Sequence, residues 1–254
     1  LESMPVEQVF ASLVTRMHKR GRADYLSGLL EIDYAQKTGA PLKCVQRHFS
    51  FESQQNHWRY LADDVALDHL PMPALIGDFQ LYNASCVIAA IQSLQNVLPV
   101  SQAAIEAGLL TVRLHGRYQY LSSKPDVILD VAHNPHAAKS LASNLKKTST
   151  SGKTIAVFAM LADKDIAGVV NAIANEIDDW YVSGVSHVRG ADGAKVKELI
   201  LSEFPNASIS LFGEVADAYA QACIDANEND RIITLGSFFT VAEVMQDLQT
   251  KKTK

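Results

Sequence analysis

One short segment of the sequence joins an apolar strand pattern to side chains that could bind a nucleotide. Residues 127–138 read VILDVAHNPHAA, so an apolar run ends at Asp130 and leads into His133 and Asn134. Asparagine is a favoured helix N-cap and proline a favoured first helical residue, which predicts a helix from Pro135. Asp130 and His133 would then lie beside a helix N-terminus, which attracts anions.

This turn has more than one chemical interpretation. A carboxylate at Asp130 could accept hydrogen bonds from a ribose, and His133 could lie near a phosphate or a base. Alternatively, Asp130 and Asn134 only close the turn. A zinc site made by Asp130, His133 and His136 is disfavoured, because no third neutral ligand lies nearby in the sequence.

Two other segments carry polar side chains with alternative roles. Arg117 follows a flexible glycine, Gly116, and its guanidinium could reach phosphate oxygens or simply lie on the surface. Gln80 and Asn83 stand at the start of an apolar segment, where amides either cap a helix or read the edge of a base.

Turns after two further apolar runs complete the set of candidate positions. Asp163 or Asp165 is expected to cap a helix, and Lys164 between them is interpreted as a solvated charge. Gly236 and Ser237 form a small turn suited to a carboxylate or to plain helix capping.

The second half of the chain alternates short apolar runs with amphipathic segments of helical length, which indicates an α/β fold. A parallel sheet with helices on both faces follows from this pattern, and such sheets bind ligands at the carboxyl ends of their strands. The five predicted strands span residues 127–131, 154–161, 180–185, 208–212 and 231–236.

The first half is less regular. A helix is predicted over residues 30–42, with Gly39 just past its end and a strand from Leu42. Two alternating segments, HFSFES and HWRYLA, predict a hairpin. Apolar helices are predicted over residues 83–94 and 100–112, and a domain boundary near residue 112.

Composition narrows the classes of protein. The 254 residues are 48% hydrophobic and carry a net charge of −5, which disfavours nucleic acid as a partner. No apolar run is long enough to span a membrane, and the first residues do not have the pattern of a signal peptide. The basic cluster at residues 16–22 is interpreted as a solvated helix face. Cys44, Cys86 and Cys223 are expected to be buried free thiols.

Five motifs in order resemble one family. GDFQLYNA, GRYQ, ILDVAHNPHAA, MLADKD and LGSFFTVAEVM, between about residues 31 and 248, are similar to bacterial bifunctional folylpolyglutamate synthase/dihydrofolate synthase of the Mur ligase superfamily. The resemblance implies a P-loop ATPase domain followed by a Rossmann-like domain. Residues 1–112 would be a remnant of the first, with residues 1–30 unmatched, and residues 113–254 would be the second.

The resemblance also implies an activity. Members are cytoplasmic ATP-dependent ligases that add L-glutamate to dihydropteroate or folates through an acyl phosphate, with Mg²⁺ offsetting phosphate charge. Asn83, Arg117, Asp130 and His133 would contact ATP. Small molecules are the expected partners, with no nucleic acid and no membrane, and a monomer is expected.

One departure from the family pattern is large. The sequence contains no G-x-x-x-x-G-K-[ST] phosphate loop, and its one Gly-Lys pair, Gly152-Lys153, precedes a predicted strand. We therefore expect a truncated chain whose metal ligands are missing and which alone is nearly inactive. A non-catalytic nucleotide-binding remnant is the alternative. A Rossmann dehydrogenase is disfavoured, because no GxGxxG follows any predicted strand.

Overall fold

The computed structural model describes residues 33–77 and 79–252, and the chain divides into two compact units after Arg113. The basic cluster at residues 16–22 and the beginning of the helix predicted over residues 30–42 lie outside the described residues. No helix among the described residues is long and apolar enough to cross a membrane.

The first unit contains a small antiparallel sheet with two helices against one face. Its sheet has the order β1-β2-β3, and buried Trp58, Tyr60 and Leu70 pack with apolar residues of the helices, including Ile88 and Leu109. The elements are β1 (Phe49–Ser53), β2 (His57–Ala62), β3 (Val65–Pro71), α1 (Phe79–Leu94) and α2 (Gln102–Thr111).

Most predicted elements of this unit are confirmed. Both strands of the predicted hairpin and both apolar helices are present. Residues 33–38 are helical, and Gly39 follows with a φ of +66°, a conformation that favours glycine. The strand predicted from Leu42 is wrong, because pairing there is limited to an isolated bridge at Val45, and strand β3 was not predicted.

The second unit is built on a six-stranded sheet of order β4-β5-β9-β6-β7-β8. Strand β4 is antiparallel to β5, and the other five strands are mutually parallel. The strands are β4 (Gln119–Ser123), β5 (Asp126–Leu129), β6 (Thr154–Phe158), β7 (Asp179–Val182), β8 (Ser208–Leu211) and β9 (Arg231–Leu235). All five predicted strands are present, and β4 is an additional edge strand.

Five helices cover both faces of this sheet, which confirms the predicted α/β class. Helices α3 to α5 share a core with one face of the sheet, and α6 and α7 share a core with the other. The helices are α3 (Pro135–Lys147), α4 (Ile166–Ile173), α5 (Gly193–Glu203), α6 (Val215–Asp225) and α7 (Phe238–Lys252).

The strand sequences reflect their depth in the sheet. The central strands β6 and β9 are buried at every position, which requires the nearly continuous apolar runs TIAVF and RIITL. The edge strand β8 is largely exposed and alternates serine with apolar residues. Depth in the sheet therefore explains why the central runs were the easiest strands to predict.

The strand order creates a topological switch point at the carboxyl edge of the sheet, where neighbouring strands lead to helices on opposite faces. Strand β9 lies between β5 and β6. The chain leaves β5 and β6 toward the face of α3 and α4, whereas it leaves β9 toward the opposite face through α7. Loops that diverge in this way leave a crevice where ligands bind in open α/β sheets.

Candidate functional site

Asp130 follows β5 at the switch point and ties two backbone segments together. Its Oδ2 accepts a hydrogen bond from the Tyr118 N–H at 2.9 Å, and its Oδ1 accepts one from the Ala132 N–H at 2.8 Å. Burial raises the pKa of the Asp130 carboxyl, while those two donors and the charges of Arg117 and His133 act in the opposite direction. The carboxylate thus fixes the Arg117 turn to the end of the strand.

His133 is held by the same turn. Its Nδ1 lies 2.8 Å from the carbonyl oxygen of Val131. Because a carbonyl oxygen only accepts, Nδ1 donates to it, and Nε2 can accept a hydrogen bond in the tautomer protonated at Nδ1. Asn134 caps α3 by accepting from the Ala137 N–H at 2.9 Å, and Pro135 is the first helical residue, as predicted.

Arg117 is presented by a turn with little backbone freedom. Its neighbours Gly116 and Tyr118 have φ values of +67° and +45°. The carbonyl of Gly116 accepts from the Val131 N–H at 2.8 Å, and its own N–H donates to Gln119 Oε1 at 3.0 Å. A Cβ on Gly116 would lie 2.6 Å from a methyl group of Val131, so only glycine fits there.

Phe238 brings Arg117 and His133 together around one exposed aromatic ring. Cζ of Arg117 lies 5.9 Å from the ring centroid of Phe238, and the His133 ring lies 6.2 Å from it. Phe238 is 57% exposed although it opens a helix next to a buried strand. An exposed ring beside a guanidinium and an imidazole provides a stacking surface with a cationic edge.

The turn after β9 positions Phe238 through helix capping. Gly236 has a φ of +117°, and the buried Ser237 Oγ accepts from the Thr240 N–H at 2.9 Å. Thr240 in turn donates to the carbonyl of Ala159 at 2.7 Å, which links α7 to the end of β6. Of the two roles considered for Ser237, capping is the one that the geometry supports.

The turns after β6 and β7 contain a charged pair. Arg189 donates twice to the Asp163 carboxylate, at 3.1 and 2.6 Å, and these bonds lower the pKa of Asp163. Lys164 lies 3.5 Å from the same carboxylate. Asp165, not Asp163, caps α4 by accepting from the Gly168 N–H.

The sequence and the fold both match known proteins. Residues 116–238 match the family described as Mur ligase, glutamate ligase domain. Dihydrofolate synthase/folylpolyglutamate synthase from Escherichia coli K12 is 35% identical over 220 residues, which cover 87% of this chain and 49% of that protein. The Haemophilus influenzae protein of the same name is 33% identical, and the match covers 84% of this chain and 51% of that protein.

Residues 116–238 form a Mur ligase glutamate ligase domain. The chain as a whole matches the carboxyl-terminal part of the folylpolyglutamate synthase/dihydrofolate synthase proteins, which confirms the resemblance drawn from the motifs. It spans about half the length of the curated relatives it matches.

Solved structures of related Mur ligases show the same fold. The Escherichia coli FolC in complex with DHPP and ADP has a TM-score of 0.77 and 34% identity, and the match covers 87% of this chain and 50% of that one. A bifunctional folylpolyglutamate synthase/dihydrofolate synthase with Mn, AMPPNP and L-glutamate bound has a TM-score of 0.74 and 37% identity, and the match covers 86% of this chain and 50% of that one.

The fourth predicted site residue, Asn83, lies in the first unit. Asn83 is on α1, where its side-chain amide donates to Gln80 Oε1 at 3.1 Å. Only Arg117, Asp130 and His133 are therefore brought together within one described unit. Their assignment to a nucleotide, and that of Asn83, remains a prediction.

Metal-binding side chains form no cluster in the described part of this chain. Within residues 33–77 and 79–252, no three or more His, Cys, Asp and Glu residues are grouped so that they could hold an ion. The cysteines there are free, but Cys223 is exposed and Cys44 and Cys86 are half-buried, so the expected burial of all three is wrong.

Sequence reasoning missed Phe238 as a candidate binding residue. The available signal was a pair of adjacent aromatic residues, Phe238 and Phe239, directly after the Gly236-Ser237 turn. Both rings are exposed, at 57% and 43%, and Phe239 stacks on His187 at 4.4 Å. Aromatic residues at the start of a helix are usually assigned to the core, and only the structure shows their exposure.

Proposed function

We propose that this chain forms the nucleotide-binding rim of an ATP-dependent ligase that joins L-glutamate to dihydropteroate or to folates. The observation that carries the proposal is the cluster of Arg117, His133 and Phe238 at the switch point of a Mur ligase glutamate ligase domain. Relatives of this chain were solved with ADP, AMPPNP, DHPP and L-glutamate, which supports the same classes of ligand for it.

Each residue of the cluster has a defined role in this proposal. The exposed ring of Phe238 stacks against the adenine base, because planar bases stack on aromatic side chains with little sequence preference. The Arg117 guanidinium contacts phosphate oxygens, and Nε2 of His133 accepts a hydrogen bond from the nucleoside. Asp130 acts mainly by holding the Arg117 turn, and the proposal keeps Asn83 as a nucleotide-binding residue on the strength of the family resemblance alone.

The proposed reaction consists of two transfers. The γ-phosphoryl group of ATP passes to a substrate carboxylate, which gives an acyl phosphate and ADP. The amine of L-glutamate then attacks the acyl carbon and expels phosphate, which leaves an amide. Mg²⁺ would offset the charge that develops on the phosphates. No three or more His, Cys, Asp and Glu side chains of the described residues are grouped to hold an ion, and the proposal assigns Arg117, His133 and Phe238 to nucleotide positioning.

The cellular setting is part of the same proposal. An enzyme of folate synthesis and one-carbon metabolism acts on small molecules in the cytoplasm, and the net charge of −5 supports partners other than nucleic acid. We expect a monomer, which sedimentation at several protein concentrations would test.

Nucleotide binding is the first test. Titration of the chain with ADP, followed by calorimetry, is expected to show saturable binding that weakens about ten- to a hundredfold in Arg117→Ala, because a charge-assisted hydrogen bond is worth about 1.5–3 kcal/mol. The matched control is Arg113→Ala, which removes an exposed arginine four residues earlier. Equal affinities for both variants and the original chain would overturn the assignment of Arg117.

Ligation is the second test. The amino-terminal half of the Escherichia coli relative, joined to this chain at the start of the matched region, is expected to release ADP only when L-glutamate and a pteroate or folate are both present. The same fusion with Arg117→Ala is expected to be slower. No glutamate-dependent ADP release with dihydropteroate or with any folate would refute ligation.

A second candidate is nucleotide binding without ligation. The observation that favours it is the absence of a G-x-x-x-x-G-K-[ST] motif from the 254 residues. Intact ADP binding by the chain, together with no turnover by the fusion, would select this alternative. Turnover by the fusion would exclude it.

A further inference from the structure

Two histidines lie side by side on the first unit, on the sheet face opposite to the helices. The ring centroids of His57 on β2 and His69 on β3 are 4.9 Å apart, and the ring planes are inclined by 35°. The neighbouring residues of β2, Trp58 and Tyr60, are buried in the core. Since side chains alternate along a strand, His57 lies on the solvent face.

An irregularity in strand pairing places His69 on that same face. Trp58 pairs with Leu70 and Tyr60 pairs with Leu67, so two residues of β3 face the single residue Arg59. One extra residue in one strand is a β-bulge, a feature that re-aims side chains. The bulge lets Leu67 and Leu70 both pack inward, while His69 remains exposed.

The backbone at His69 supports a specific arrangement rather than a random surface contact. His69 has a φ of +57°, a left-handed conformation that is uncommon for residues other than glycine. This conformation costs free energy, so the surrounding sheet must enforce it. The exposed imidazole is therefore held against His57 by the bulge.

We propose that His57 and His69 bind a divalent first-row transition metal ion such as Ni²⁺, Cu²⁺ or Zn²⁺. Neutral imidazole nitrogen is a preferred ligand of these ions. With metal–nitrogen bonds of about 2.0–2.1 Å at angles between about 90° and 110°, the two ring centroids would lie about 4.5–5.2 Å apart. The observed centroid separation of 4.9 Å falls inside that interval.

The charges on this face are compatible with a bound cation. Arg59 lies 2.5 Å from Asp68 and 3.9 Å from Glu52, so two carboxylates accompany one guanidinium and one negative charge is left in excess. Asp68 forms an ion pair with Arg59. Among the described residues, no group of three or more His, Cys, Asp and Glu side chains could hold an ion. Water would complete the coordination, which makes this a weak, exchangeable site rather than a structural one.

Binding would connect neighbouring strands. A metal ion held by one residue of β2 and one of β3 links the two strands, and an ion that binds only the folded state stabilises that state. Mg²⁺ and Ca²⁺ prefer oxygen ligands and would not compete.

Calorimetric titration of the whole chain with Ni²⁺ tests the proposal. One equivalent of binding is expected in the original chain, and it is expected to be lost in His57→Gln and in His69→Gln alike. His115→Gln, which alters an exposed histidine of the second unit, is the matched control and should retain it. Circular dichroism establishes that each variant is folded.

A second readout separates the histidine pair from scattered single histidines. Cu²⁺ bound to the original chain is expected to show an electron paramagnetic resonance signal split by two imidazole nitrogens, and Tm should rise with Ni²⁺ but not with Mg²⁺. Unchanged Ni²⁺ binding in both glutamine variants, or no binding by the original chain, would overturn the proposal. Neither outcome bears on nucleotide binding by the second unit.

Discussion

Asp130 shows how a residue chosen for direct binding can act through its neighbours. Sequence reasoning left two roles open for its carboxylate, contact with a ribose and closure of the turn, and the structure shows both oxygens accepting backbone N–H groups, from Tyr118 and Ala132. The carboxylate still shapes the proposed site, because the Tyr118 N–H belongs to the turn that presents Arg117. Its geometry therefore supports a positioning role.

Replacing Asp130 tests that role. In Asp130→Asn the side-chain NH₂ must face one of the two backbone donors, so one buried N–H loses its acceptor. We expect a loss of about 1–3 kcal/mol in the free energy of unfolding, and weaker ADP binding. Urea unfolding and ADP titration measure the two effects. Asp126→Asn, at the start of the same strand, is the control. Full stability with full ADP affinity would contradict the positioning role.

Phe238 is the residue-scale test of the stacking surface. Phe238→Ala is expected to weaken ADP binding by about 1–3 kcal/mol, the usual contribution of a stacked base, while stability changes little because the ring is already exposed. Phe239→Ala is the matched control, since Phe239 stacks on His187 instead. Competition binding with ADP measures both. A larger loss for Phe239→Ala than for Phe238→Ala would show that the wrong ring was chosen.

Features of the site that depend on neighbouring residues could be predicted from the sequence, whereas features that depend on strand order could not. Local signals sufficed for Asn134 and Pro135, because capping depends on residues three positions apart. The proximity of Arg117 to Phe238 could not be predicted, since it joins segments more than a hundred residues apart through the position of β9 beside β5. Strand order is a tertiary property that no short motif contains.

At the scale of elements, burial determined which predictions succeeded. The central parallel strands β6 and β9 were predicted because burial on both faces requires nearly uninterrupted apolar runs such as TIAVF. Strand β3 was missed because its bulge breaks the alternation, and β4 because QYLSS is a half-exposed edge. The strand predicted from Leu42 was wrong because the apolar residues there pair only at Val45. Irregular and edge strands thus carry the weakest sequence signals.

The turn before β4 offers an element-scale prediction. Gly116→Ala is expected to destabilise the fold by about 1–3 kcal/mol, because φ is +67° and the new methyl group would lie 2.6 Å from Val131. Gly108→Ala is the matched control. It lies within α2 with open space around it, so it should stabilise by up to about 1 kcal/mol. Thermal and urea unfolding measure both, and a neutral Gly116→Ala would show that the turn adapts.

Asp230 connects the beginnings of β6 and β9 and predicts a pH dependence. It accepts from the N–H groups of Asn227 and Lys153, both at 2.7 Å, and the backbone bond from Asn227 contributes most to lowering its pKa. The folded state therefore binds fewer protons than the unfolded state. This stabilisation is present above the ordinary carboxyl pKa and is lost as the pH falls through the lowered one.

Urea unfolding at two pH values measures the Asp230 effect. Asp230→Asn is expected to be less stable than the original chain near pH 7, and the difference should shrink as the pH falls through the lowered pKa of Asp230 and the aspartate itself becomes protonated. Asp64→Asn, at an exposed turn of the first unit, is the control. A difference that stays constant between the two pH values would mean that the charge of Asp230 does not contribute.

At the scale of the whole molecule, the cores follow the division into two units. The two cores of the second unit draw only on residues between 118 and 248, and the core of the first unit draws only on residues between 45 and 109. The proposed nucleotide-stacking cluster belongs to the second unit and the histidine pair to the first. Folding and binding can therefore be studied separately in each.

The self-contained cores lead to the final prediction. A polypeptide of residues 114–254 is expected to fold alone, because it keeps the six-stranded sheet, both cores and the Arg117 turn. Domains of this size with their own core usually unfold in one cooperative step. Circular dichroism during urea unfolding should show such a transition, and the fragment should bind ADP more tightly than its Phe238→Ala variant. A gradual, non-cooperative loss of helix signal would mean that the second unit depends on residues before Leu114.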